Sequence, residues 1–213
     1  ETAGIDLVRG HARLSGDREV SVEGADGATT VLRARHAVAV CTGTDAATPD
    51  IPGLEDARPW TSREATSVET VPASLAILGG GVVAVEMATA FASFGTAVTV
   101  IARSGLLTSL EPFAGELVGD ALREAGVTIR AGVGTDRVTR EGAEVVIALS
   151  DGSEVRAAEV LAATGRSPRT DDIGLEVVGL APGSWLDVDD TMRVRGSDWL
   201  YAVGDVNHRA LLT

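Results

Sequence analysis

The chain has 213 residues, 45% of them hydrophobic and 23% charged, which fits an ordinary globular protein of one large domain or two small ones. Its formal charge of -13 argues against nucleic acid or an anionic membrane surface as the main partner, and still allows an anionic cofactor at a locally positive site. No apolar run is long enough to span a bilayer and no signal peptide opens the chain; a single cysteine, Cys41, excludes an internal disulfide framework and a two-cysteine redox centre.

Aromatics make up only 3%, so the core is expected to be built from Val, Leu, Ile and Ala. The lone thiol points to the cytoplasm. The chain starts at Glu1 without a methionine and ends in the apolar Ala210-Leu211-Leu212-Thr213, so it reads as a piece of a longer protein.

Four short strand-like runs come first, at 5–8, 19–23, 29–32 and 36–41, with glycine-containing turns between some of them. Cys41 closes the last run and reads as a small core residue. Thr42-Gly43 ends it, and 49–53, with its two prolines, reads as a rigid crossing segment. A short helix is expected over 61–70, before Pro72. From residue 73 the rhythm becomes β-α-β: a strand over 73–78, a helix over 82–94 stopped by Gly95, and a strand over 97–101. A second helix over 111–125, stopped by Gly126, and a third parallel strand over 127–130 follow. Residues 144–149 and 153–156 read as an antiparallel hairpin. Further strands are expected at 159–163, ending at Thr164-Gly165, at 185–188, and at 199–203, ending at Gly204-Asp205.

The densest chemical signal is Gly79-Gly80-Gly81-Val82-Val83-Ala84 between an apolar strand and a helical pattern. Gly79 permits the tight turn and Gly81 lets backbone N–H groups approach a pyrophosphate. Ala84, in place of a third glycine, is small enough for close helix–strand packing. The helix N-terminus favours an anion there. A strand-to-helix corner that binds nothing is the competing reading of the same turn. Where NAD-selective folds carry an acid at the end of the second strand, this chain has Ala102-Arg103-Ser104. Arg103 can pair with a 2′-phosphate and Ser104 can add a hydroxyl donor, which favours NADP(H); a solvated surface arginine is the plainer alternative. Glu86 reads either as a carboxylate favouring the helix end or as a buried acid facing the nicotinamide. His11, His36 and His208 show no metal-ligand spacing, and 187–190, rich in Asp, reads as a solvated turn. No catalytic residue and no metal site are assigned.

Several ordered motifs resemble the pyridine nucleotide–disulfide oxidoreductases, the flavoprotein family that includes mercuric reductase, glutathione reductase and dihydrolipoamide dehydrogenase. The run at 38–43 is similar to the family's first crossing out of the FAD domain, with Cys41 in place of alanine, and Ile51-Pro52-Gly53-Leu54 follows as the pattern expects. The Gly79–Ala84 turn with Glu86 resembles the NAD(P) fingerprint. Residues 162–168, through Thr164 and Gly165, resemble the second crossing, and 200–205, ending in Gly204-Asp205, is similar to the second FAD motif. The segment through Val98, Arg103 and Ser104 looks most like the NADPH-using mercuric reductase branch. Departures are equally plain: the N-terminal FAD glycine fingerprint, the C-x4-C pair and the C-terminal dimerisation domain are not in this sequence.

The resemblance implies an α/β, Rossmann-like FAD/NAD(P)-binding fold, with a parallel sheet, helices and an antiparallel β-meander. It implies part of an FAD-binding domain at 1–54, an NAD(P)-binding domain at 55–167 and a returning part of the FAD-binding domain at 168–213. The implied cofactors are NADP(H), with NAD(H) as the alternative, and FAD in the complete protein. The implied parent is a homodimeric oxidoreductase passing hydride from NAD(P)H to FAD and on to a disulfide or other acceptor, the isolated chain being inactive. An NADH-linked dihydrolipoamide dehydrogenase relative and a nucleotide-binding module without redox activity are the two competing expectations.

Overall fold

The structure is a computed structural model and describes residues 4–211; the start at Glu1 and the terminal Leu212 and Thr213 lie outside the described residues. Two compact units share the chain, one continuous over Ala46–Arg166 and one discontinuous, running up to Asp45 and resuming at Ser167.

In the discontinuous unit, β1 (His11–Gly16), β2 (Glu19–Glu23) and β3 (Thr29–Arg33) form an antiparallel sheet in that order. The short β4 (Val38–Val40) follows, and β5 (Thr44–Ala46) leads out of the unit. No strand forms over 5–8: Ile5, Leu7 and Val8 are exposed, so the alternation there has no sheet to bury against. Strand β1, carrying a single buried side chain, Leu14, takes the edge place instead.

The continuous unit begins with α1 (Ser62–Ser67), held by a capping box. The Arg63 N–H donates to Thr61 Oγ1 at 3.2 Å and the Thr61 N–H to Glu64 Oε2 at 2.7 Å. The Thr61 hydroxyl, followed by its N–H, holds the Glu64 carboxyl below the usual range. Next come β6 (Ser74–Leu78), α2 (Val82–Ser93), β7 (Ala97–Ala102), α3 (Pro112–Glu124) and β8 (Thr128–Ala131). A meander of β9 (Thr135–Glu141), β10 (Glu144–Leu149) and β11 (Glu154–Ala157) precedes β12 (Glu159–Ala162). The parallel sheet runs β12-β6-β7-β8, with Leu78 beside Ile101 on one side and Ala162 on the other.

Burial on both faces explains the apolar run over 75–78 of β6. Leu75 and Ile77 face one apolar cluster with Ala84, Val85, Ala88 and Phe91 of α2, while Ala76 and Leu78 face another with Val138, Val145 and Ile147 of the meander. The period of 2 in the strand thus meets the 3.6 period of α2 on one side only. Phe91 is almost wholly buried, which contributes about 1.5–3 kcal/mol. Gly95 and Gly126, each at φ +87, end α2 and α3 in the left-handed conformation that a Cβ disfavours.

After β12 the chain returns through β13 (Arg166–Pro168) and reaches β14 (Leu200–Ala202), which pairs in parallel with β4. Leu14, Val40, Leu175, Leu186, Leu200 and Val206 belong to the core of this unit. Residues 185–188 do not form a strand. Val188 makes only an isolated bridge to Val194, because the Asp189 carboxylate turns the chain back by accepting the N–H and the hydroxyl of Thr191. These bonds hold Asp189 down at about 2. Cys41 is exposed, contrary to the core position expected for it: Val40 points inward at the end of β4, so alternation turns residue 41 outward.

Candidate functional site

Four strands of the continuous unit end on the same edge of the parallel sheet, at Leu78, Ala102, Ala131 and Ala162, and open α/β sheets take their ligands beyond that edge. Gly79 leaves β6 at φ +125, and a Cβ on it would lie 2.2 Å from the Ala163 carbonyl oxygen. Both constraints demand glycine. Its N–H donates to the Ile101 carbonyl at 2.9 Å, and the Ala163 N–H donates to that of Leu78 at 2.8 Å, so the turn is fastened to both neighbouring strand ends.

Gly81 plays a different part. At φ -80 it is the N-cap of α2, makes no side-chain capping bond, and has open space where a Cβ would stand. The first N–H groups of a helix have no intrahelical partner. With no capping side chain in front of them, those of Val82 and Val83 meet the open side of the turn with the positive end of the macrodipole. Val82 is exposed and Ala84 is fully buried against the sheet.

Arg103 and Ser104 follow the end of β7, and both are exposed. Among the described residues Arg103 makes no ion pair. Beside this loop opens a cleft of about 530 Å³ toward α3, bordered by Ser104, Leu106, Leu107, Leu110, Gly115 and Ile129. Thr164 and Gly165 follow β12, where the Thr164 hydroxyl donates to the Ala47 carbonyl at 3.0 Å and the Ala47 N–H to that of Gly165 at 3.0 Å. The structure therefore brings Gly79, Gly81, Val82, Val83, Ala84, Arg103, Ser104, Thr164 and Gly165 to one sheet edge. Glu86 lies in the second turn of α2 and is exposed, so it is neither a buried acid nor a first-turn carboxylate.

In the discontinuous unit, Gly204 (φ +85, open space beside it) introduces the 3-10 turn Asp205–Asn207. The Thr44 hydroxyl donates to Asp205 Oδ2 at 2.9 Å. Elsewhere in that unit His208 stacks on Trp185 with ring centroids 4.2 Å apart, and His11 Nε2 lies 3.3 Å from Asp172 Oδ2. No group of three potential metal-ligating side chains occurs among the described residues.

Two residues that sequence reasoning passed over belong to the site. A Cβ on Gly80 would stand 2.1 Å from the Gly105 carbonyl oxygen, so glycine is needed there for close backbone approach. The Leu107 N–H donates to the Gly80 carbonyl at 2.7 Å. A run of three glycines gave no sign of which one another segment crosses, and nothing marked Leu107 as adopting φ +50.

A parallel sheet joined to helices, entered through a glycine turn and accompanied by an antiparallel meander, defines the class: an α/β protein of the Rossmann-like kind. A family model described as pyridine nucleotide-disulphide oxidoreductase matches residues 1–212, and the chain belongs to that family. It is 37% identical over 203 residues to mercuric reductase of Acidithiobacillus ferrooxidans, covering 94% of this chain and 37% of that protein. It is 33% identical over 217 residues to glutathione reductase of Burkholderia cepacia, covering 100% and 46%. Among solved structures, LpdA of Mycobacterium tuberculosis matches with a TM-score of 0.84 at 30% identity, over 98% of this chain and 47% of that one. The flavoprotein disulfide reductase RclA of Escherichia coli shares the fold, with a TM-score of 0.88 at 24% identity over 99% and 48%. The chain spans less than half the length of each of these relatives.

Proposed function

We propose that the continuous unit is the NADP(H)-binding part of a flavin-dependent oxidoreductase. The observation that carries this reading is the uncapped N-terminus of α2 behind Gly81, on the same sheet edge as the exposed Arg103. Open space at Gly81 fits a pyrophosphate drawn against the N–H groups of Val82 and Val83. Arg103 and Ser104 would hold a 2′-phosphate, and Ala102 supplies no acid to repel it. Glu86, Thr164 and Gly165 would line the approach to the nicotinamide end. When bound, NADPH would supply hydride to a flavin in the complete protein.

The discontinuous unit is read as part of the FAD-binding domain. Gly204 leaves room for close backbone approach and Asp205 offers a carboxylate to the ribityl or pyrophosphate region of FAD. Family membership supports an oxidoreductase as the complete protein, a homodimer acting on a disulfide or another acceptor. A single thiol supports a reducing, cytoplasmic setting.

Calorimetric titration with NADPH and NADH, on the wild type and on Arg103→Ala, tests the coenzyme reading. A charge-assisted hydrogen bond contributes about 1.5–3 kcal/mol, or roughly 10–150-fold in affinity. The expected result is that preference for NADPH, lost in the variant. Equal binding of both coenzymes by the wild type would overturn the Arg103 assignment and favour an NADH-linked enzyme. Binding of neither would favour a glycine turn that is only structural.

A further inference from the structure

The segment between Ala102 and Leu107 is fixed at both ends. Ala102 is buried, and its carbonyl accepts the Gly132 N–H at 2.9 Å. At the other end Leu107 has a φ of +50, a left-handed conformation that a bulky, non-glycine residue rarely adopts. Its N–H donates to the Gly80 carbonyl at 2.7 Å, and its side chain is only 7% exposed, in the same apolar cluster as Ala84, Val85 and Ala88 of α2. Gly80, for its part, admits the Gly105 backbone so closely that no Cβ fits between them.

Backbone strain of this kind persists only where the surroundings over-determine it. Glycine at 107 would make the same turn without strain and keep its N–H bond to Gly80, yet would leave the loop without an apolar anchor. Leucine accepts the strained backbone and places an apolar side chain beneath the pyrophosphate turn.

We infer that Leu107 is a positioning residue for coenzyme choice: it holds the Arg103–Ser104 segment against the glycine turn, so that the backbone carrying the guanidinium is in place before the coenzyme arrives. The physical gain is pre-organisation, since a segment closed at both ends has little freedom left to lose on binding. The inference rests on the NADP(H) reading above and adds to it a residue that touches no coenzyme atom.

The test compares dissociation constants for NADPH and NADH in wild type, Leu107→Gly, Leu107→Met and Val127→Ala. Val127 belongs to the same apolar cluster but precedes β8 at the opposite edge of the sheet. In Leu107→Gly the NADPH preference is expected to fall from about tenfold or more to within about threefold, with NADH affinity changed less than about twofold. Leu107→Met is expected to restore most of the preference, and Val127→Ala to lower stability while keeping it. An undiminished preference in Leu107→Gly would overturn the inference alone. A wild type with no preference would sink the Arg103 reading, and the inference with it. Should Leu107→Gly fail to fold, Leu107→Ala decides by the same ratio: a reduced NADPH preference with NADH affinity kept supports the anchor, and an undiminished preference overturns it.

Discussion

Arg140 of β9 reaches Glu159 of β12: its guanidinium donates to Glu159 Oε2 at 2.7 Å, while its Nε donates to the Ala57 carbonyl at 2.9 Å. Both side chains are only about a quarter exposed, so the pair ties the meander to the parallel sheet in partly desolvated surroundings. Arg140→Ala is expected to cost about 1.5–3 kcal/mol, because it leaves the Glu159 carboxylate without its partner. Arg156→Ala, which breaks a solvent-screened cluster with Glu141, Glu144 and Glu154, should cost clearly less. Urea midpoints of the two variants check the contrast.

The glycine turn separates stability from binding. Gly79→Ala drives a Cβ into the Ala163 carbonyl at a φ that disfavours it, and should cost about 2–4 kcal/mol. Gly81→Ala adds its Cβ to open space at φ -80, and should cost about 1 kcal/mol or less as a poorer N-cap. That methyl group would stand where the pyrophosphate is proposed to approach. Thermal melting should therefore single out Gly79→Ala, and coenzyme titration should show weakened binding in Gly81→Ala.

Asp189 gives a pH signature. Hydrogen bonds from the Thr191 hydroxyl and N–H lower its carboxyl from 3.8 to about 2. A depressed folded value means that the contribution is present above the unfolded value and is lost as pH falls toward the folded one. The stability it provides should thus be intact above about pH 4 and fade between pH 4 and pH 2. Asp189→Asn should flatten the acid limb of a stability-against-pH curve across that window and change its slope little above pH 5.

Cys41 supplies a simple chemical check. Being exposed at the end of β4, it should react with a thiol reagent in the native chain to one equivalent, without denaturant. A thiol that titrates only after unfolding would contradict the outward orientation.

Much of the continuous unit was legible in the sequence, because its elements carry dense, periodic burial. Residues 75–78 announce β6 by an unbroken apolar run, and 82–94 announce α2 by buried positions at 84, 85, 88 and 91. Strands β1 and β9 escaped notice for the opposite reason. Each buries one side chain, Leu14 and Val138 respectively, and is held in place by backbone pairing with a neighbour. Residues 5–8 and 185–188 carry strand-like composition and form no strand, since composition reports a preference and a partner decides it. At the site, Gly79, Gly81 and Arg103 were readable from local spacing. Gly80 and Leu107 were not, because what constrains them is a crossing between segments about 25 residues apart.

The continuous unit is inserted within the discontinuous one, and this sets an order of events during synthesis. Everything from Ala46 to Arg166 leaves the ribosome as one stretch and has its whole core available at once. Leu14 and Val40, by contrast, belong to a core that also needs Leu186, Leu200 and Val206, made only after the continuous unit, and β4 must wait for β14 before it has a parallel partner. A nascent chain exposed as far as residue 166 would hold a complete continuous unit while β4 still lacked its parallel partner, leaving that strand open to chaperones or to premature association.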